Sequence, residues 1–222
     1  MKELPILFSG SMVRAILEGR KTQTWRVVRM ISRKGCPWCE EKEPYEWIET
    51  GNELAGYDYR HPCRCIIENC PYGQSGDRLW VRESMQIVGG DWHPDPTNAF
   101  DDIDVQYAAD SKRRSISIAW DVIWGKFLDT KGFILCSRSG RFMPRWASRI
   151  TLKITAVRVE RLQEITEADA YKEGIHEWKS PEQTFMARLH FKELWDSLNA
   201  KRGFGWAANP WVWKIEFRRM ET

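Results

Sequence analysis

Apolar and polar positions alternate most clearly toward the two ends of the chain. Pro5-Ile6-Leu7-Phe8 is a short apolar run closed by Ser9-Gly10, which predicts a buried strand. Ser11 then stands as the cap of a helix with an apolar stripe of Met12, Ala15 and Ile16, and Gly19 ends it. From Thr22 to Val28 the pattern is β-like, with Thr24, Arg26 and Val28 on one face and Gln23, Trp25 and Val27 on the other. Gly76-Asp77 marks a turn into a strand over residues 78–82. Ile150, Leu152, Ile154 and Ala156 alternate, and Val157 and Val159 continue in the opposite phase. That switch predicts one long strand with a bulge near Ala156. Thr166-Glu167-Ala168-Asp169 opens a short helix as a capping box, and Gly174 stops it. Ser180-Pro181-Glu182-Gln183 caps the longest helix, whose stripe is Ala187, Phe191, Leu194, Trp195 and Leu198. Trp211, Trp213, Ile215 and Phe217 alternate with Val212, Lys214, Glu216 and Arg218, the pattern of a half-buried strand.

Two stretches break this order. Residues 31–70 carry cysteines and charges with few periodic apolar positions. Residues 89–147 open on Gly89-Gly90 and proline-spaced chain and hold an acidic run (Asp101, Asp102, Asp104) and a basic run (Lys112, Arg113, Arg114). Both read as insertions, the second irregular with some structure near Ile116–Phe127, in a single domain spanning 1–222. With strands at both ends, helices between and no βαβ rhythm, the fold class is α+β, built on a small, mostly antiparallel barrel.

Composition changes this picture in two places. Thirteen tryptophans exceed what an ordinary core requires, so some serve either a heavily aromatic core or a base-stacking surface. The net charge is only +3, yet residues 1–34 hold eight Lys/Arg against Glu3 and Glu18. Residues 138–149 add Arg138, Arg141, Arg145 and Arg149 without an acid, so the two segments together would make a phosphate-binding patch. No run approaches a membrane span and the N-terminus lacks the apolar centre of a signal peptide, which predicts a cytoplasmic protein without membrane partners. The pattern carries no expectation of oligomeric state.

The first candidate for chemistry is Gly19-Arg20-Lys21-Thr22-Gln23-Thr24-Trp25-Arg26, where a helix ends, the chain turns and a strand begins. Thr24 and Arg26 project together, and Lys21 can curl toward the same face. A desolvated lysine beside another cation has a lowered pKa and can act as a base for a hydroxyl nucleophile. Arg26 can hold a phosphate or carbonyl oxygen. The competing reading is a polar strand edge with solvated cations. Glu173 is the second candidate: a carboxylate in a final helical turn faces the negative end of the helix dipole, so it either points to solvent or is held there by a cation.

These residues sit in segments that resemble the ASCH-domain family of the PUA-like superfamily. The likeness rests on Gly19-Arg20-Lys21-Thr22-Gln23-Thr24 and Gly76-Asp77-Arg78-Leu79. Pro5–Gly10, Cys70-Pro71-Tyr72-Gly73, Met143–Arg149 and Asn209–Trp213 resemble its longer, phage- and prophage-encoded branch. The resemblance covers about residues 1–30, 70–84 and 143–222. It implies a PUA-like barrel and an amidohydrolase that removes the acetyl group from N4-acetylcytidine with a Lys, a Thr and a Glu, here Lys21, Thr24 and Glu173. Arg26 matches the family's Arg after the Thr, and Arg20, Trp25 and Arg145 complete the expected substrate-binding set. Trp25 departs from the pattern, standing where phage relatives tend to have Arg. The implied partner is a modified nucleoside or RNA in a bacterial or phage-infected cell. A non-catalytic nucleic-acid-binding module and a ribonuclease using the same cleft are the alternatives, because a fold does not settle an activity.

A last constellation is Cys36-Pro37-Trp38-Cys39 followed by Cys63-Arg64-Cys65. Two close thiolate pairs complete a tetrahedron, so Cys36, Cys39, Cys63 and Cys65 predict a structural zinc ion, with His61 and Cys70 as spare donors. Such an ion would stabilise an otherwise coreless insertion by about 10 kcal/mol or more. The competing reading is free thiols.

Overall fold

The computed structural model describes residues 1–28, 70–91, 100–119, 136–175 and 186–221. Its main sheet contains β1 (Glu3–Leu7), β2 (Gln23–Val27), β3 (Arg78–Arg82), β8 (Thr151–Arg161) and β9 (Trp211–Arg219), in the order β1-β3-β8-β9-β2. All pairs are antiparallel except β1 with β3. A second, antiparallel sheet contains β4 (Met85–Asp91), β5 (Phe100–Tyr107), β6 (Arg113–Ala119) and β7 (Cys136–Arg138), in the order β6-β5-β4-β7. Helix α1 (Gly10–Leu17) links β1 to β2, while α2 (Glu167–Lys172) and α3 (Ala187–Asn199) lie between β8 and β9. The chain is α+β, as its pattern predicts.

Alternation decides which face each side chain takes. Ile6, Leu79, Val81, Leu152, Ile154, Ile215 and Phe217 form one core with Val13 and Ile16 of α1. The register shift between Ile154 and Ala156 lets Val157 and Val159 rejoin that core, so the phase switch in the sequence is the bulge it predicts. On the opposite face, Trp25 and Val212 pack with Ala170 of α2 and with Ala187, Phe191 and Trp195 of α3.

Four expectations are corrected. No ladder joins β1 to β2 among the described residues, so the sheet is open rather than a closed barrel. The edges are nonetheless linked: Arg26 Nη2 donates to the Leu7 carbonyl at 2.7 Å, and Phe8 lies 6.2 Å from Phe217, centroid to centroid. Second, regular structure within 89–147 is present well before Ile116, at β5. Ile103, Val105 and Tyr107 are buried on β5, and the acids that alternate with them, Asp102 and Asp104, hide a regular pattern by occupying the outer positions. Third, β9 is buried on both faces, Val212 and Lys214 included, because α2 and α3 cover the side expected to meet solvent. Fourth, α3 buries Ala187, Phe191, Trp195 and Asn199, a row spaced by four, and leaves Leu194 and Leu198 at 36% and 56% exposure. Among the described residues no helix is long and apolar enough to cross a membrane.

The two sheets meet at a buried cluster. Arg149 donates through Nε and Nη2 to the two carboxylate oxygens of Glu83, at 2.9 Å each, and through Nη1 to Asp110 at 2.9 Å. Its guanidinium lies 3.9 Å from the centroid of the Tyr107 ring, and the Tyr107 hydroxyl donates to the Ala147 carbonyl at 2.8 Å.

Candidate active site

The turn after α1 brings Lys21 inward. Gly19 takes φ +76°, and the amides of Arg20 and Lys21 both donate to the Ala15 carbonyl, at 2.9 and 3.0 Å. The Thr22 amide donates to the Lys172 carbonyl at 2.8 Å, which docks this turn on the last turn of α2. Glu173 caps that helix, and Gly174 follows with φ +92°. A Cβ on Gly174 would meet Ala15 Cβ at 2.9 Å and Lys21 Cβ at 3.1 Å, so the bare glycine permits the close approach.

Lys21 Nζ donates to the Glu173 carboxylate, to the Glu173 carbonyl at 2.9 Å and to the Gln23 carbonyl at 2.9 Å, using all three of its donors. The other carboxylate oxygen of Glu173 accepts the Trp25 amide. The two side chains are 0% and 5% exposed, and Nζ lies 5.3 Å from the Phe8 ring centroid. Burial pushes the Lys21 pKa below the ordinary lysine range; Glu173 opposes this and the charge of Arg26 adds to it. The unfavourable carboxylate at the helix end is therefore held by a cation rather than by solvent.

Glu173 and Thr24 line a cavity of about 650 Å³. Trp25 and Arg26 lie beside them, Tyr72 and Trp213 contribute further wall, and Phe191, Leu194, Leu198 and Arg202 close the side formed by α3 and the turn after it. Lys21 is behind Glu173 rather than in this lining. Arg26 brings a guanidinium to the cavity, and its Nε has no hydrogen-bond partner among the described residues.

The remaining predicted residues do not join them. Arg20 pairs with Glu18 and donates to the Gly174 carbonyl at 3.3 Å, outside the lining. Arg145 pairs with Glu3 at 3.2 Å, beside Trp80. The expected phosphate patch is also partly neutralised, since Arg149 is spent on Glu83 and Asp110, while Arg14 is turned to the Ala109 carbonyl. Cys36, Cys39, His61, Cys63 and Cys65 lie outside the described residues. Among the described residues no group of three or more His, Cys, Asp or Glu could hold a metal. Cys70 is buried, which pushes its thiol up to about 11.

One network was not visible in the sequence. Lys214 pairs with Asp169 at 2.9 Å and with Glu160 at 3.4 Å. Gln23 Nε2 donates to the Asp169 carbonyl at 2.9 Å, and Asp169 also closes the capping box with Thr166. Burial acts to raise the Asp169 pKa, but Lys214 and Thr166 outweigh it and the carboxyl titrates below its usual range. The network fixes α2 against β2 and β9 and so sets where Glu173 sits. Its one sequence signal was a lysine between Trp213 and Ile215, which the half-buried reading of β9 sent to solvent.

Gly174→Ala is expected to cost about 2–3 kcal/mol, from the left-handed backbone and from overpacking against Ala15 and Lys21. Urea unfolding of both single variants and of Gly174→Ala with Ala15→Gly would separate these: in the Ala15→Gly background, which carries its own helix cost, Gly174→Ala should lose only the part of its penalty due to Ala15.

Neither the family models, the curated proteins nor the solved structures yielded a match to this chain.

Proposed function

We propose that the protein hydrolyses the amide of an N4-acylated cytosine base, in a nucleoside or in RNA, at the Thr24–Glu173 wall of the cavity. One observation supports this reading above the rest: Glu173, paired with the fully buried Lys21, lines the same cavity as Thr24. The Thr24 hydroxyl, or a water it orients, attacks the acyl carbonyl, and its proton passes to the Lys21–Glu173 pair. Arg26 stabilises the oxyanion that develops. The pair then returns the proton to the departing exocyclic nitrogen, which frees the cytosine base: where water attacked, the carboxylate forms in that step, and where Thr24 attacked, water hydrolyses the Thr24 acyl ester in a second step to give the carboxylate and restore the hydroxyl. Glu173 is the member of the pair that meets the substrate, and Lys21 holds it and supplies charge from behind. The family resemblance adds a zinc-bound insertion over 31–70 to this proposal.

Incubation of the purified protein with N4-acetylcytidine should release acetate. Lys21→Ala and Thr24→Val should each lower turnover by about 100-fold or more. Because Lys21 acts as an ammonium and its pKa is lowered, turnover should fall with pH along a limb whose midpoint lies below the ordinary lysine value. No acetate at high enzyme load would rule the reaction out. RNA binding that survives Lys21→Ala would then favour a binding module, and cleavage of labelled RNA a ribonuclease.

A further inference from the structure

The open half of the main sheet, on the face that also bears Trp25, carries a row of cations. Register places Arg78 beside Lys153 and Lys153 beside Arg218, across β3, β8 and β9. Arg82 is two residues beyond Trp80 on β3, and their partners on β1 are Leu7 and Pro5. Leu79 and Val81 are buried while Arg78, Trp80 and Arg82 are half-exposed, so the alternation of β3 turns all three outward. Two guanidiniums flank the indole: Arg82 lies 5.4 Å and Arg145 5.9 Å from its ring centroid. Glu3, which pairs with Arg78 and Arg145, is the one carboxylate at these register positions. The surface is therefore strongly positive on a chain whose net charge is only +3. It also adjoins the cavity, because the Leu7 carbonyl, next to Arg82 in register, accepts from Arg26 of the cavity wall.

We infer that this face binds a single-stranded polynucleotide, with its phosphates on the Arg78–Lys153–Arg218 row and an unpaired base stacked at Trp80. The charge selects a polyanion, and the indole among guanidiniums selects one that offers aromatic faces; a duplex keeps its base faces stacked inside. Paired with the hydrolase reading, on which this extension rests, the surface makes the substrate a base within a strand rather than a free nucleoside.

Anisotropy of a labelled single-stranded 15-mer, as RNA and as DNA, tests the surface without requiring turnover. Binding should weaken steeply between 50 and 200 mM salt. The variant Arg78→Gln/Lys153→Gln/Arg218→Gln should bind at least about tenfold more weakly, with a salt slope shallower by about 2. Trp80→Ala should cost about tenfold and Trp80→Phe much less, since a ring is kept. Urea midpoints should be unchanged in all three. Absence of binding at 50 mM salt, binding indifferent to the triple variant, or a duplex bound as tightly as the single strand would each overturn the inference. Strand binding without acetate release would instead overturn the proposed reaction and leave this surface standing, whereas acetate release from the free nucleoside without strand binding would do the reverse.

Discussion

Lys21→Met is expected to destabilise the protein by about 3–5 kcal/mol, because it strands the Glu173 carboxylate in a site with almost no water. The Lys21 and Glu173 side chains are 0% and 5% exposed, and the ammonium has no other carboxylate among its hydrogen-bond acceptors. Glu173→Gln added to Lys21→Met should recover much of the loss, since the amide oxygen still accepts the Trp25 amide and no charge is buried. A double-mutant cycle in urea at neutral pH should return a coupling of about 2 kcal/mol or more. Near-additive losses would show that the two groups are not paired. The pH dependence carries a sign of its own. The folded value of Lys21 lies below that of a free lysine, about 10.4, so between the two the unfolded chain binds more protons. Stability contributed by this group therefore rises with pH across that window, and Lys21→Met should flatten the rise.

The second large effect belongs to the joint between the sheets. Arg149→Met should cost a further about 3–5 kcal/mol, because Glu83, 1% exposed, loses both hydrogen bonds of its bidentate partner. Arg149→Lys should restore only part, since one ammonium cannot reproduce the planar fork that reaches Glu83 and Asp110 together. Asp110 supplies an acid limb. Burial works to raise its pKa, but Arg149 and the Lys112 amide outweigh burial and lower it. A depressed carboxyl stabilises the fold above its unfolded value, about 3.9, and that contribution fades as pH falls through the lower, folded value. Urea midpoints followed from pH 6 to pH 2 should show the wild type losing this increment and Arg149→Met lacking it. An Arg149→Met midpoint within 0.5 kcal/mol (about the spread of surface substitutions) would mean that the cluster does not bind the sheets together.

The parts of this molecule legible in its sequence are those governed by local chemistry. Gly19 after α1, the bulge near Ala156 and the Thr166–Asp169 cap each follow from a few neighbouring residues. Glu173 was suspicious for a local reason as well, its place at the end of a helix dipole, and the cation that explains it is 152 residues away in sequence. What escaped depended on partners that no local window contains. The acids of β5 disguised a strand, since alternation identifies buried positions only once the outer residues are allowed to be uniformly charged. Lys214 looks solvated from its place in the alternation, because nothing in Trp213–Ile215 announces the helix that covers it. The resemblance groups Arg145 and Arg20 with the cleft, yet Glu3 and Glu18 hold them elsewhere.

Among the described residues β2 is the last strand of its sheet, and its outer margin offers the Gln23 carbonyl and the Trp25 amide. A bare margin of that kind can recruit a strand from another molecule and begin aggregation. Here Lys21 occupies the carbonyl and Glu173 the amide, so the two charges proposed to serve the reaction also terminate the sheet. A variant that loses this pair would thus be exposed to a second hazard besides lost turnover: an uncapped strand able to extend into its neighbours.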